Sequence, residues 1–265
     1  MNPSGKNIYF ASDFHLGAPN EAESRKREDL IVQWLDEIKN KAKEIYLVGD
    51  IFDFWFEYKR AIPKGFVRIQ GKIAELSDSG IPIHFFTGNH DMWMFDYFEK
   101  ELGVKINREP ITIEAQGKKI VIGHGDGLGP GDKGYKFIKR VFSNKFFQWC
   151  FARLHPNFGI AVANFSSQKS RAATGSSDEK FLGEENEWLV HYAKERNQKE
   201  HIDLFIFGHR HLPLNIQLDS SSQYYNLGDW IKYKTYGVLE EGEFSLKVYP
   251  SNEHFNFDVI QKKGE

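Results

Sequence analysis

The chain has 265 residues, 40% of them hydrophobic and 27% charged, with a formal net charge of −2. Those figures are ordinary for a globular protein with one large core, and they exclude a polyanion binder by bulk charge, so any surface for nucleic acid or membrane must be local. The single cysteine, Cys150, excludes an intrachain disulfide and fits a reducing compartment. Residues 1–6 carry no apolar run, so no signal peptide is expected. The most membrane-like stretch, residues 146–165, is broken by Arg153, His155 and Pro156 and is not expected to span a bilayer.

Residues 7–11 read as a first strand, with Asp13-Phe14-His15 at its tip. Over residues 24–44, Leu30, Ile31, Trp34, Leu35 and Ile38 recur at helical spacing against a charged opposite face. Ile45-Tyr46-Leu47-Val48 then predicts a buried strand running into Gly49-Asp50. A helix over residues 64–79 turns Phe66, Ile69, Ile73 and Leu76 inward and stops at Gly80, and residues 81–87 form a strand ending in Gly88-Asn89-His90-Asp91. Strand and helix alternating in this order predict an α/β fold with parallel strands, whose ligands gather beyond the strand C-termini.

A short helix over residues 93–102 precedes a hairpin, residues 111–115 and 119–123 around Gln116-Gly117-Lys118, that delivers Gly123-His124-Gly125-Asp126. Residues 128–182 differ from the rest. They are helical in pattern and dense in Phe and Trp interleaved with Lys and Arg, which predicts a helical cap inserted within a single domain over residues 1–265. Its aromatics are expected to form a small core of their own, and its basic residues a solvated face. A helix over 187–199 and a strand over 204–207 lead to Gly208-His209-Arg210-His211; residues 214–249 read as short antiparallel strands with a turn at Glu240-Glu241-Gly242.

Five strand-like runs thus end in residues of the kind that bind metals. A carboxylate at the tip of a buried strand is costly to leave unpaired, and a cation is the usual partner. Carboxylate, imidazole and amide donors without a thiolate suit Mn, Fe or Zn better than Ca. The expectation is one two-metal site with Asp50 between the ions. His84, His155, His191, His201 and His254 read as core histidines satisfied by hydrogen bonds, and Asp53 and Asp126 as loop-orienting carboxylates.

Asp-x-His, Gly-Asp, Gly-Asn-His-Asp, Gly-His and Gly-His-x-His, in this order and each after a strand, resemble the calcineurin-like metallophosphoesterases over the whole chain apart from the insertion. The resemblance implies an αββα sandwich of mixed sheets flanked by helices. It implies one ion on Asp13, His15, Asp50 and His211 and a second on Asp50, Asn89, His124 and His209. Two ions about 3.5–4 Å apart can clamp a phosphoryl oxygen and lower the pKa of a water. His90 would act at the leaving oxygen, with Asp91 orienting its imidazole.

Asp13-Phe14-His15-Leu16-Gly17, Gly49-Asp50-Ile51-Phe52-Asp53-Phe54-Trp55, His124-Gly125-Asp126 with the insertion after it, and Leu227-Gly228-Asp229-Trp230 are most similar to the UDP-2,3-diacylglucosamine diphosphatases of lipid A synthesis. Such enzymes cleave the pyrophosphate of a lipid-linked UDP-sugar and use Mn. The resemblance implies a cytoplasmic enzyme held peripherally on the anionic inner-membrane surface, with no nucleic acid and no obligate protein partner. Asn89, His90, Asp132 and His209 would touch substrate, joined from the insertion by Ser166, Ser167, Lys169 and Arg171. His90 stands where several of these diphosphatases carry Arg.

Overall fold

The computed structural model describes residues 6–131, 133–174, 180–181 and 183–261. β1 (Asn7–Ala11), β2 (Ala42–Val48), β3 (Ile83–Phe86) and β4 (Lys105–Asn107) pair in parallel, in that order. The crossovers that parallel pairing requires are α1 (Glu21–Ile38), α2 (Val67–Asp78) and α3 (Tyr97–Leu102). β5 (Ile111–Ala115) and β6 (Lys118–Gly123) form the expected hairpin. Helices α4 (Lys133–Phe142), α5 (Lys145–Phe151) and α6 (Pro156–Thr174) follow, then α7 (Trp188–Lys199) and β7 (Leu204–Phe207), parallel to β6. The chain closes with β8 (Pro213–Gln217), β9 (Gln223–Leu227), β10 (Thr235–Glu240), β11 (Glu243–Val248), β12 (Glu253–His254) and α8 (Asp258–Gln261).

These strands make a seven-stranded sheet, β12-β11-β10-β1-β2-β3-β4, and a five-stranded sheet, β5-β6-β7-β9-β8. The alternation of side chains across each strand builds the layers. Ile8, Phe10, Tyr46 and Val48 of the larger sheet meet Ile120, Ile122, Leu204 and Ile206 of the smaller. The other face of the larger sheet, with Tyr9, Ala11, Ile45 and Leu47, packs on Ile31, Trp34 and Leu35 of α1 and Ile69 and Ile73 of α2. Val121, Phe205 and Phe207 on the outer face of the smaller sheet pack on Leu189, Val190 and Ala193 of α7. The result is the αββα sandwich that the resemblance implies. Strands buried on both faces, such as β1 and β7, carry no polar alternation for the same reason.

Four expectations are corrected. The helix over 24–44 stops at Ile38, because Ala42 and Glu44 pair with Asn7 and Ile8 in the sheet. The helix over 93–102 starts only at Tyr97, where the carboxylate of Glu57, distant in sequence, accepts the N–H groups of Phe95, Asp96 and Tyr97 at 2.7, 2.8 and 3.1 Å and so caps the helix start. Residues 214–249 are not wholly antiparallel: β9 runs parallel to β7, and the tail divides between both sheets. The aromatics of α4–α6 do not form a core of their own. Phe137, Phe146 and Phe165 are 68%, 63% and 68% exposed, while Phe142 and Phe151 lean on Trp93 with ring centroids 5.3 and 4.8 Å away. No helix among the described residues is long and apolar enough to cross a membrane.

Candidate metal centre

β1, β2 and β3 all present their C-terminal ends at one edge of the larger sheet, and β6 and β7 do so in the smaller, so five strand tips converge. The chain turns sharply there. Asp13, His15, Asp50, His209 and His211 hold positive φ values of 56°, 44°, 53°, 72° and 53°. Non-glycine residues adopt that region at a cost of order 1–3 kcal/mol each, and they do so where the surroundings over-determine them. Here the turns are interlocked: Asp13 N–H donates to Gly49 O at 3.0 Å and His15 N–H to Asp50 O at 2.9 Å. Two of the glycines in the motifs have a steric reason. A Cβ on Gly49 would lie 2.5 Å from His124 Nδ1, and one on Gly208 would lie 2.6 Å from Asp13 Oδ2.

The two central carboxylates are each half committed. Asp13 Oδ2 accepts from His209 N–H at 3.0 Å, and Asp50 Oδ1 from His90 N–H at 2.9 Å. Their other oxygens, Asp13 Oδ1 and Asp50 Oδ2, are buried and make no hydrogen bond among the described residues. Asp13 Oδ1 lies 3.5 Å from His211 Nε2 and 3.8 Å from His15 Nε2, and these two imidazole nitrogens are 3.2 Å apart. Asp50 Oδ2 faces both ways, 3.8 Å from His15 Nε2 and 3.3 Å from His124 Nε2. Asn89 Oδ1 sits 3.0 Å from His209 Nδ1 and 3.3 Å from His124 Nε2. Donor atoms of Asp13, His15 and His211 lie within 4.8 Å of one another, as do those of Asp50, His124 and His209. Ligand bonds of about 2.0–2.2 Å separate neighbouring donors by about 3–3.5 Å, so oxygens lacking a proton partner beside converging imidazoles fit divalent ions.

Polar groups stand behind the imidazoles, and one of them is hydrogen-bonded. His124 Nδ1 is 2.9 Å from Val48 O, His15 Nδ1 is 3.5 Å from Asp53 Oδ1, and His211 Nδ1 is 3.6 Å from Asp229 Oδ2. Burial alone would push Asp50 up, but the imidazoles of His124, His90 and His15 outweigh it and hold the carboxyl well below its usual range. Burial pulls His124 down, and the Asp50 carboxylate more than reverses this, raising it to about 10. Burial lowers His90 and His209 to about 4. The carboxylates therefore stay anionic and draw in positive charge.

The structure thus brings Asp13, His15, Asp50, Asn89, His124, His209 and His211 together, with His90 at the rim, its ring edge-on to His15 at 4.8 Å between centroids. Asp91 is a correction. It does not orient the His90 imidazole, because its oxygens accept from Gly88 N–H at 2.7 Å, Ile51 N–H at 2.8 Å and Phe52 N–H at 3.3 Å; it braces the turn after Asp50. His90 Nδ1 instead meets Asp53 O at 3.0 Å and Ser167 Oγ at 3.1 Å. Ser167, on α6, also donates to Asp53 Oδ2 at 3.1 Å. Ser166 and Lys169 are exposed on α6; the Arg171 side chain and Asp132 lie outside the described residues. Asp126 holds α4 through Lys139 Nζ and Tyr135 Oη, both at 2.7 Å. His155, His201 and His254 are exposed and His84 and His191 half-buried, so these are not the core histidines expected.

Sequence reasoning missed two supports. Arg27 is buried and donates to Phe14 O at 2.6 Å and His15 O at 2.7 Å, fixing the loop after β1. Its signal was a charged residue on the Ile31–Trp34–Ile38 stripe of α1. Asp229 follows a strand and a glycine as Asp50 does, which would have marked it as a further tip residue.

A model of the calcineurin-like phosphoesterases matches residues 6–213. The UDP-2,3-diacylglucosamine hydrolase of Porphyromonas gingivalis is 41% identical over 247 residues, 88% of this chain and 94% of that protein. Proteins of the same name from Vibrio atlanticus and Aeromonas hydrophila are 31% and 28% identical, covering 90% and 91% of this chain and 96% and 97% of theirs.

Proposed function

The chain belongs to the calcineurin-like phosphoesterases and is a metal-dependent hydrolase, and from that premise we propose that it hydrolyses the pyrophosphate bond of UDP-2,3-diacylglucosamine, a step of lipid A synthesis. One water is consumed; UMP and 2,3-diacylglucosamine 1-phosphate leave. The observation that carries this reading is the exposed apolar surface of α4–α6 held at the rim of the donor cluster, with Ser167 of α6 touching both Asp53 and His90. A hydrolase of a small phosphomonoester has no use for such a surface; a substrate with acyl chains does. Residues 128–182 serve in this reading as a cap on a single domain.

Asp13, His15, Asp50 and His211 would hold one divalent ion, and Asp50, Asn89, His124 and His209 a second, with Asp50 common to both. Bound there, the ions would polarise phosphoryl oxygens and lower the pKa of a water. The donor set suits Mn, the metal we assign, and also Fe or Zn. The protein's own part is positional. The interlocked turns after β1 and β2 present Asp13 and Asp50, and Asp91 and Arg27 keep those turns in place. With Nδ1 held against Asp53 O and Ser167 Oγ, His90 has Nε2 for the substrate; the ring is neutral in the free protein, and the negative charge of a bound diphosphate would favour a proton on Nε2, where it would stabilise the leaving oxygen. Asn89, His209 and Lys169 would be further substrate contacts; Asp132 and the Arg171 side chain, expected to join them, lie outside the described residues.

The exposed aromatics of the cap, beside Lys133, Arg140 and Arg153, would seat the enzyme on an anionic membrane surface at the cytoplasmic face of the inner membrane without crossing it. The test is turnover by the Mn-loaded protein of UDP-2,3-diacylglucosamine beside UDP-N-acetylglucosamine, p-nitrophenyl phosphate and cyclic nucleotides. A kcat/KM for the diacylated substrate at least a hundredfold above the others is expected. Equal rates on acylated and unacylated UDP-sugars would refute the lipid reading and favour another nucleotide or a phosphoprotein as substrate.

A further inference from the structure

A cavity of about 330 Å³ opens between Gly88, one residue before Asn89, and helices α4 and α5. A smaller cleft shares the Arg108 wall and has His124 in its own lining, so the cavity lies next to the donor cluster. We propose that this cavity is a nucleotide subsite that takes the nucleoside monophosphate half of the substrate, an inference that rests on the UDP-sugar reading above.

Size, charge and hydrogen bonding agree. Ligand cavities span about 300–1,000 Å³, and this one is at the small end: room for one nucleoside monophosphate, not for an acylated sugar. Arg108 and Lys145 bring exposed cations to its wall, as a phosphate requires. Lys139 also lines it, but its ammonium is committed to Asp126. The Glu109 carboxylate offers acceptors for ribose hydroxyls. Met92 and Phe95, both half-buried, supply an apolar surface on which a flat base can stack. Gln148 Nε2 donates to Phe142 O at 3.0 Å, which leaves its side-chain oxygen as an acceptor at the cavity. An acceptor suits the N3–H of uracil and opposes the lone pair at N3 of cytosine. Among the described residues that line the cavity there is no Phe or Trp from α4–α6, so the exposed aromatics of those helices are left for the acyl half.

The test is calorimetric titration of the Mn-loaded protein with UMP and with CMP. UMP is expected to bind at least tenfold more tightly than CMP, with the difference lost in Gln148→Leu. Replacing both Arg108→Ala and Lys145→Ala should weaken UMP tenfold or more, leaving metal content and p-nitrophenyl phosphate hydrolysis within twofold. Both side chains are exposed, so a melting temperature close to wild type is expected for the double variant. An unchanged UMP affinity in that variant overturns the subsite even if the diacylated UDP-sugar is cleaved normally. A protein that cleaves no UDP-sugar yet binds UMP with this dependence keeps the subsite and loses the diphosphatase reading.

Discussion

Asp229→Asn separates what the metal centre needs from what the fold needs. Asp229 Oδ1 accepts the N–H groups of Lys232 and Tyr233 at 2.8 and 3.1 Å and shapes the turn after β9. Oδ2 lies 3.6 Å from His211 Nδ1, and a carboxylate on that side would favour a proton on Nδ1 once an ion draws on Nε2. Asparagine keeps an oxygen for the turn but sets an NH₂ against His211, so the acceptor behind the ring is gone. Loss of such a support lowers metal affinity about 10- to 100-fold, or about 1.4–2.8 kcal/mol. The turn stays, so the melting temperature without metal should move by less than about 2 °C. Calorimetric titration with Mn should show one of two sites weakened by that factor and the other unchanged. Asp229→Ala is the contrast: it also strips the two turn donors of their acceptor, at about 1 kcal/mol each, and should lower the metal-free melting temperature. Equal weakening of both sites in Asp229→Asn, or a loss of stability with no loss of affinity, would refute the reasoning.

Asp50→Ala removes the carboxylate common to both donor groups; metal analysis should fall from two equivalents toward none, whereas Asp13→Ala should weaken mainly one site, and a wild-type protein holding one ion at saturating Mn would contradict the pair. His90→Ala should keep both ions and lose about 10²–10⁴-fold in kcat. His90→Arg should retain much of the rate if the ring serves mainly to stabilise charge; an Arg variant as inactive as Ala would point to proton donation and a poorer leaving group. Phe137→Ser, Phe146→Ser and Phe165→Ser together remove exposed side chains, so the melting temperature should be little changed. Their expected effect is a KM for the diacylated substrate raised tenfold or more, with unacylated substrates unaffected; an equal rise for both would argue against acyl contact.

The strands in the middle of each sheet could be read directly. β1 and β7 have the bounds their apolar runs predict, because strands buried on both faces announce themselves locally. The order of tip motifs carried the family and the two-layer sandwich. Helix limits were less legible where a distant group intervened, as when the Glu57 carboxylate takes the first N–H groups of α3. The aromatic run of residues 128–182 was misread as a small core, since composition gives apolar content but not whether anything lies opposite to bury it.

The sequence by itself determined which residues stand at the ends of which strands, since that follows from local pattern and turn chemistry. It did not determine that β9 lies parallel to β7, that Asp91 serves three backbone N–H groups rather than His90, or that His211 rests on Asp229. Only the tertiary structure decided these. Asp13 meets the N–H of His209 across 196 positions of chain, and the single free oxygen of Asp50 faces imidazoles from both sheets. Which donor a buried oxygen meets depends on how two separately formed sheets are stacked, and no local pattern encodes that stacking.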